Sequence, residues 1–122
     1  MTAGQVVKEF YAAVQKRDLT QARTCLGDDL EFVGLFETYR GPEAYLTALT
    51  GLLGVTKRLD VRTIIGAGDE AAIFFDLETV APVEANTFVA EWHKVRDGKI
   101  RWVRSAFDGR VFAPMFTGKG KG

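Results

Sequence analysis

Apolar residues recur at two different spacings along this chain, and the change from one to the other falls near residue 55. Val6, Val7, Phe10 and Val14 return every three or four positions, the repeat of one helix face. Thr2 is placed to cap that helix. Arg17-Asp18-Leu19-Thr20 interrupts the repeat, and Gln21 to Leu26 reads as a short second helix stopped by Gly27 in a left-handed cap. Asp28-Asp29 then opens a brief strand, Leu30 to Gly34. Gly41-Pro42-Glu43 starts a third helix, because proline is tolerated in a first turn, and Tyr45, Leu46, Leu49, Leu52 and Leu53 form its apolar face as far as Gly54.

From Thr56 onward the chain is strand-like. The segments are Arg58 to Ile65, a Gly66-Ala67-Gly68-Asp69 turn, Ala71 to Val80, a connection containing Pro82, Thr87 to Val95, and Ile100 to Phe107. Helices followed by antiparallel strands specify an α+β layer, a meander of long strands packed by helices on one face. Several strands are apolar on both parities: Ile73, Phe75 and Leu77 against Phe74 and Val80, and Val89 against Phe88, Ala90 and Trp92. Both sheet faces therefore need cover, one from the helices and the outer one from a second copy, which makes a homodimer the expected assembly.

A chain of 122 residues is about one domain, here residues 1–116, with the Gly/Lys run 117–122 as a frayed tail that has nothing to bury. Sixteen basic residues balance sixteen acidic ones without long blocks of either sign, so the footprint of a nucleic-acid binder is missing. The N-terminus has no basic segment followed by an apolar run, which argues against a signal peptide or a spanning helix and so against a membrane partner. Cys25 is the sole cysteine; without disulfides or metal-type spacing, a reducing cytoplasm fits best.

Four pieces carry a family resemblance: Phe10-Tyr11-Ala12-Ala13-Val14 before Asp18, the Gly41-Pro42-Glu43-Ala44 helix start, the Val95-Arg96-Asp97-Gly98-Lys99-Ile100 hairpin, and the closing Phe107-Asp108. In this order they resemble the SnoaL-like branch of the nuclear transport factor 2-like superfamily. The resemblance implies an α+β cone: three N-terminal helices packed in the concave face of a strongly bent, mostly antiparallel sheet, with a cavity inside. That superfamily includes polyketide cyclases, ketosteroid isomerases, limonene epoxide hydrolases and many non-enzymes, so the fold does not settle function.

Register decides what lines such a cavity. A two-residue Asp97-Gly98 loop sets Glu91 opposite Arg104 and His93 opposite Trp102, whereas a three-residue loop with a glycine bulge sets Trp92 opposite Trp102 and Glu91 opposite Val103. The second is preferred, because it gathers the two indoles on one face and leaves Glu91, His93, Val103, Ser105 and Phe107 on the other. If Asp76 shares that face, the pocket holds Asp76, Glu91, His93 and Ser105 among Phe10, Phe32, Phe74 and Phe107. Such an apolar cup with a few polar groups suits an apolar small molecule. Tyr39, with Glu37 and Arg40, lies in the loop before the third helix, where it rims the mouth.

Proton transfer is the chemistry this cup suits, because a carboxyl buried among aromatic rings has its pKa raised and can act near neutrality. Glu91 is the first candidate, with His93 and Asp76 as partners. Where Glu91 stands, ketosteroid isomerases are similar in placing a protonated acid that donates to an oxyanion. The position that supplies their phenol matches Phe10, with Tyr11 turned to another face, and no aspartate stands between Phe32 and Phe36 to match their base. The Arg, Asp and Asp of limonene epoxide hydrolases match Phe74, Asp76 and Ser105, so one of three is retained. Asp108 either matches the acid near the end of the last strand in SnoaL-type cyclases or begins the Asp108-Gly109-Arg110 turn. Ser105 has no nucleophile-elbow context, and no ligand spacing calls for a metal or a cofactor. Three readings remain: a proton-transfer or hydrolytic enzyme of the isomerase, cyclase or hydrolase kind, a non-catalytic ligand-binding or dimerisation module, and a protein-interaction module resembling the transport factor, with the first two ahead of the third.

Overall fold

The computed structural model describes residues 1–113, so the expected tail at 117–122 lies outside the described residues. Its elements are α1 (Ala3–Gln15), α2 (Leu19–Arg23), β1 (Leu26–Val33), β2 (Thr38–Arg40), α3 (Pro42–Leu53), β3 (Thr56–Ala67), β4 (Glu70–Thr79), β5 (Ala85–Arg96) and β6 (Lys99–Phe107). The six strands form one sheet in the order β2-β1-β6-β5-β4-β3. All neighbours are antiparallel except β1 and β6. The sheet bends around the three helices as an α+β cone, the architecture expected from the sequence. No helix among the described residues is long and apolar enough to cross a membrane.

Local chemistry fixes the helices. Thr2 caps α1 reciprocally: its Oγ1 accepts from the Gln5 N–H at 3.2 Å while its own N–H donates to Gln5 Oε1 at 2.8 Å. Val6, Val7, Phe10, Tyr11 and Val14 are then all buried, so α1 is covered over a wide arc. Each such side chain contributes roughly 1.5–3 kcal/mol by leaving water. The helix ends where Arg17 takes φ 60°. Asp18 accepts from the Gln21 N–H at 3.0 Å to cap α2, which therefore starts at Leu19 and is over by Arg23.

Gly27 does not stop a helix, as the sequence suggested; it lies inside β1, among residues without positive φ. Its lack of a side chain serves a close approach instead, since a Cβ there would stand 2.6 Å from Cδ of Arg101. The loop residues Thr38–Arg40 also differ from expectation. They pair with Glu31–Val33 as the short edge strand β2.

The long strands set the site. Along β4, Ala71, Ile73, Phe75, Leu77 and Thr79 turn inward while Phe74, Asp76 and Glu78 turn outward. Between β5 and β6 the chain makes a two-residue turn at Asp97 (φ 53°) and Gly98 (φ 70°), which pairs Arg96 with Lys99. Arg101 is then an extra residue in β6: Val95 pairs with Ile100, but Lys94 pairs with Trp102. This bulge gives a register matching neither sequence alternative, with Glu91 opposite Ser105, Trp92 opposite Arg104 and His93 opposite Val103. It differs from the preferred register by two residues, so the faces are unchanged. Glu91, His93, Val103 and Ser105 are buried inside, and Trp92 meets Trp102 edge-on outside at 4.9 Å.

Candidate functional site

Three elements converge on Glu91. From β5 its side chain projects into the cone with 7% of its surface exposed, flanked along the strand by Val89 and a fully buried His93. From α1 the Tyr11 hydroxyl donates to Glu91 Oε1, and His93 Nε2 lies 3.3 Å from the same oxygen. From α3, Tyr45 brings a second buried phenol into the field of the Glu91 carboxylate. Ser105 sits directly across the β5–β6 pair. Among the described residues Glu91 is the only buried acid.

The two phenols are held in the protonated form. Burial pushes the Tyr11 hydroxyl well above its ordinary range, and the charge of Glu91 and the bond donated to it push it further. Tyr45 is raised in the same way, first by burial and then by Glu91. Around the carboxylate, therefore, stand hydroxyl donors that do not ionise near neutrality.

This polar group closes the inner end of a cavity of about 360 Å³. Its walls are apolar, with Phe32, Leu49, Phe75, Leu77, Val89 and Phe107 prominent, and Tyr11, Tyr45, Thr79, Glu91 and Ser105 supply the buried polar lining. Leu35, Glu37, Ala81 and Pro82 line it too and are exposed, so they mark the mouth. Phe112, beyond the last strand, adds a ring that meets Phe107 edge-on at 6.2 Å.

Of the residues singled out from the sequence, Glu91, Phe32, Tyr39, Ser105 and Phe107 line this cavity. Tyr39 donates to Glu37 at 2.6 Å near the mouth. His93 and its cross-strand neighbour Val103 are buried behind the lining. Phe10 is also behind it, fully buried and packed against the rings of Tyr11 at 5.1 Å and Tyr45 at 6.1 Å.

Three placements need correction. Asp76 has the outward parity of β4 and binds Arg62 at 2.6 Å on the other side of the sheet. Phe74 shares that face and stacks on Phe88. Asp108 lies past the end of β6, exposed, and receives the guanidinium of Arg110; that contact holds its carboxyl down at about 2. It is a turn residue, apart from the cavity. The residue most at variance with expectation is Tyr11, which supplies the phenol that Phe10 lacks. Its signal was the Val7, Tyr11, Val14 spacing of three and four, a second buried stripe on α1. Among the described residues no group of histidine, cysteine and acidic side chains is arranged to hold a metal.

A bent sheet filled by three helices, with a cavity opening between them, defines a cone of the cystatin-like, nuclear transport factor 2-like class. The chain belongs to the SnoaL-like domain family, whose model matches residues 7–103. Among solved structures it is similar to a protein of cystatin-like fold from Xanthomonas campestris, with TM-score 0.83 and 19% identity over 95% of this chain and 98% of that one. It is similar to an LEH-like epoxide hydrolase from M. tuberculosis, with TM-score 0.77 and 24% identity over 94% and 89% of the two chains. A putative ketosteroid isomerase from Kribbella flavida superposes with TM-score 0.73 and 15% identity over 86% of this chain and 76% of that chain. At these identities the likeness is one of fold. No curated protein matches the sequence.

Proposed function

We propose that this chain is a small-molecule pocket protein in which Glu91 exchanges a proton with an apolar, oxygen-bearing guest. The observation that carries the reading is the placing of one buried acid, with its own hydroxyl donor, at the inner end of an otherwise apolar cavity. Apolar walls hold the guest by burial. They also keep water from the carboxylate, which strengthens its interaction with any charge that develops nearby. Glu91 takes a proton from a carbon beside a carbonyl, or from a hydroxyl, and returns it at another position. Tyr45, kept neutral by burial, is a donor for an oxygen that gains negative charge, while the Tyr11 hydroxyl stays on Glu91. The epoxide hydrolase and the putative isomerase among the similar folds are compatible with this reading without specifying the reaction.

Deuterium exchange tests it without a known substrate. A panel of apolar ketones, enols and epoxides is incubated with the protein in heavy water and followed by mass spectrometry. At least one guest is expected to gain deuterium or rearrange, and Glu91→Gln is expected to abolish the change while still binding that guest. Exchange retained in Glu91→Gln rejects the role of Glu91. Guests that bind and return unlabelled favour a non-catalytic binding module.

The outer sheet face is proposed as the contact for a second copy of the chain. Phe88 and Trp92 are about half exposed there, with Phe74 and Trp102 beside them. Sedimentation velocity is expected to show a dimer that Phe88→Lys combined with Trp92→Lys converts to monomer. A wild-type protein that stays monomeric at every concentration rejects it.

A further inference from the structure

The two oxygens of Glu91 have unequal surroundings. Oε1 receives the Tyr11 hydroxyl and faces His93 Nε2 at 3.3 Å. Among the described residues no hydrogen bond reaches Oε2, although Glu91 lines the cavity. His93 is equally lopsided: its Nδ1 is buried without a partner. The ring is enclosed by Ala71 across β4, Val103 across β6 and the Tyr11 ring edge-on at 5.9 Å.

A neutral imidazole has one N–H and one lone pair, and the hydrogen bond made by one nitrogen decides which is which. Here one nitrogen faces a carboxylate and the other faces no acceptor. A proton on Nδ1 would bury an N–H without an acceptor and turn a lone pair toward an anion, two losses at once. A proton on Nε2 makes a charge-assisted bond and leaves only a weakly solvated lone pair unmatched.

We infer that His93 is a positioning residue: with its proton on Nε2 it pins Glu91 Oε1 jointly with Tyr11, leaving Oε2 as the oxygen open to a guest. This deepens the proposed role of Glu91 and rests on it for its functional meaning. The tautomer itself is a property of the empty protein. Strand geometry makes the arrangement durable, since positions 91 and 93 of one strand share a face by construction. Two donors on a single oxygen stop the carboxylate from rotating, so the working oxygen presents one orientation to the cavity. His93 thereby acts through Glu91 without itself lining the site.

Because His93 is the only histidine in the chain, nitrogen-15 NMR of the imidazole reports it without assignment. At pH 8 the wild-type ring is expected to show a pyrrole-type shift at Nε2 and a pyridine-type shift at Nδ1. Glu91→Gln, which keeps a carbonyl acceptor, preserves that pattern. Glu91→Leu removes the acceptor and moves both shifts toward averaged values. A histidine that merely fills space would have the same shifts in all three proteins. A proton on Nδ1 in the wild type overturns the inference, as does a pattern unchanged by Glu91→Leu. The wild-type spectrum decides even if Glu91→Leu fails to fold. The deuterium assay fails separately: exchange retained in Glu91→Gln removes the catalytic role of Glu91 while the tautomer stands or falls on the spectra.

Discussion

Tyr11→Phe removes one oxygen and nothing else from the interior. The ring remains to pack against Phe10 at 5.1 Å and Phe75 at 5.3 Å, so the loss is that of the bond donated to Glu91. A hydrogen bond to a charged group contributes about 1.5–3 kcal/mol net. For a domain of this size that is a fall of roughly 5–12 °C in melting temperature. The partner substitution, Glu91→Leu, strips the acceptor from the Tyr11 hydroxyl and the His93 ring together. In that background Tyr11→Phe deletes a buried hydroxyl without its carboxylate acceptor, and its cost should vanish or reverse by about 1 kcal/mol. Denaturant unfolding of the four proteins closes the cycle, and a coupling of about 2 kcal/mol or more is expected. If Tyr11→Phe costs the same in both backgrounds, the bond does not connect these residues and the account of the site fails.

Further outcomes follow from other parts of the fold. All three tyrosines are raised above the ordinary 10.0: Tyr39 to about 12 by its bond to Glu37 and then by burial, Tyr11 and Tyr45 well above 10.0 by burial and then by the Glu91 charge. The folded chain keeps phenolic protons that the unfolded chain gives up, so their stabilising contribution is complete below pH 10; the share of Tyr39 is lost as pH rises through about 12. Ultraviolet titration should show no phenolate step at pH 10 in the folded protein; a third of the full amplitude there would contradict this. Phe10→Ala, at a fully buried ring, should cost about 3–5 kcal/mol in denaturant unfolding. Asp108→Asn, in an exposed turn, should leave deuterium exchange as in wild type, and its loss would return Asp108 to the site.

The pattern of burial was legible wherever one residue type alternated with another. In β5 and β6 the two-residue repeat assigned Glu91, His93, Val103 and Ser105 to one face. The Arg101 bulge, which alone fixes who faces whom, has no marker in residue type. In β4 the run Ile73-Phe74-Phe75 is apolar on both parities, so the side taken by Asp76 depends on pairing such as Ile73 with Glu91, a long-range fact. Tyr11 was hidden for a related reason. A helix inside a cone is buried over most of its circumference, and adjacent positions 10 and 11, about 100° apart, both point into protein. The three residues of β2 gain their extended form from pairing with β1 more than from any propensity of their own.

The acid and the two phenols stand on α1, α3 and the middle strands, while the exposed lining residues, Leu52 of α3 apart, come from the segments around Leu35 to Glu37 and Ala81 to Pro82. Those connections bear little of the hydrophobic core. Substitution or lengthening at the entrance can therefore reshape the cavity mouth without disturbing Glu91 and the phenols beside it. If Glu91 exchanges protons as proposed, selectivity and reactivity are separately adjustable, and an engineer can alter the first while holding the second fixed.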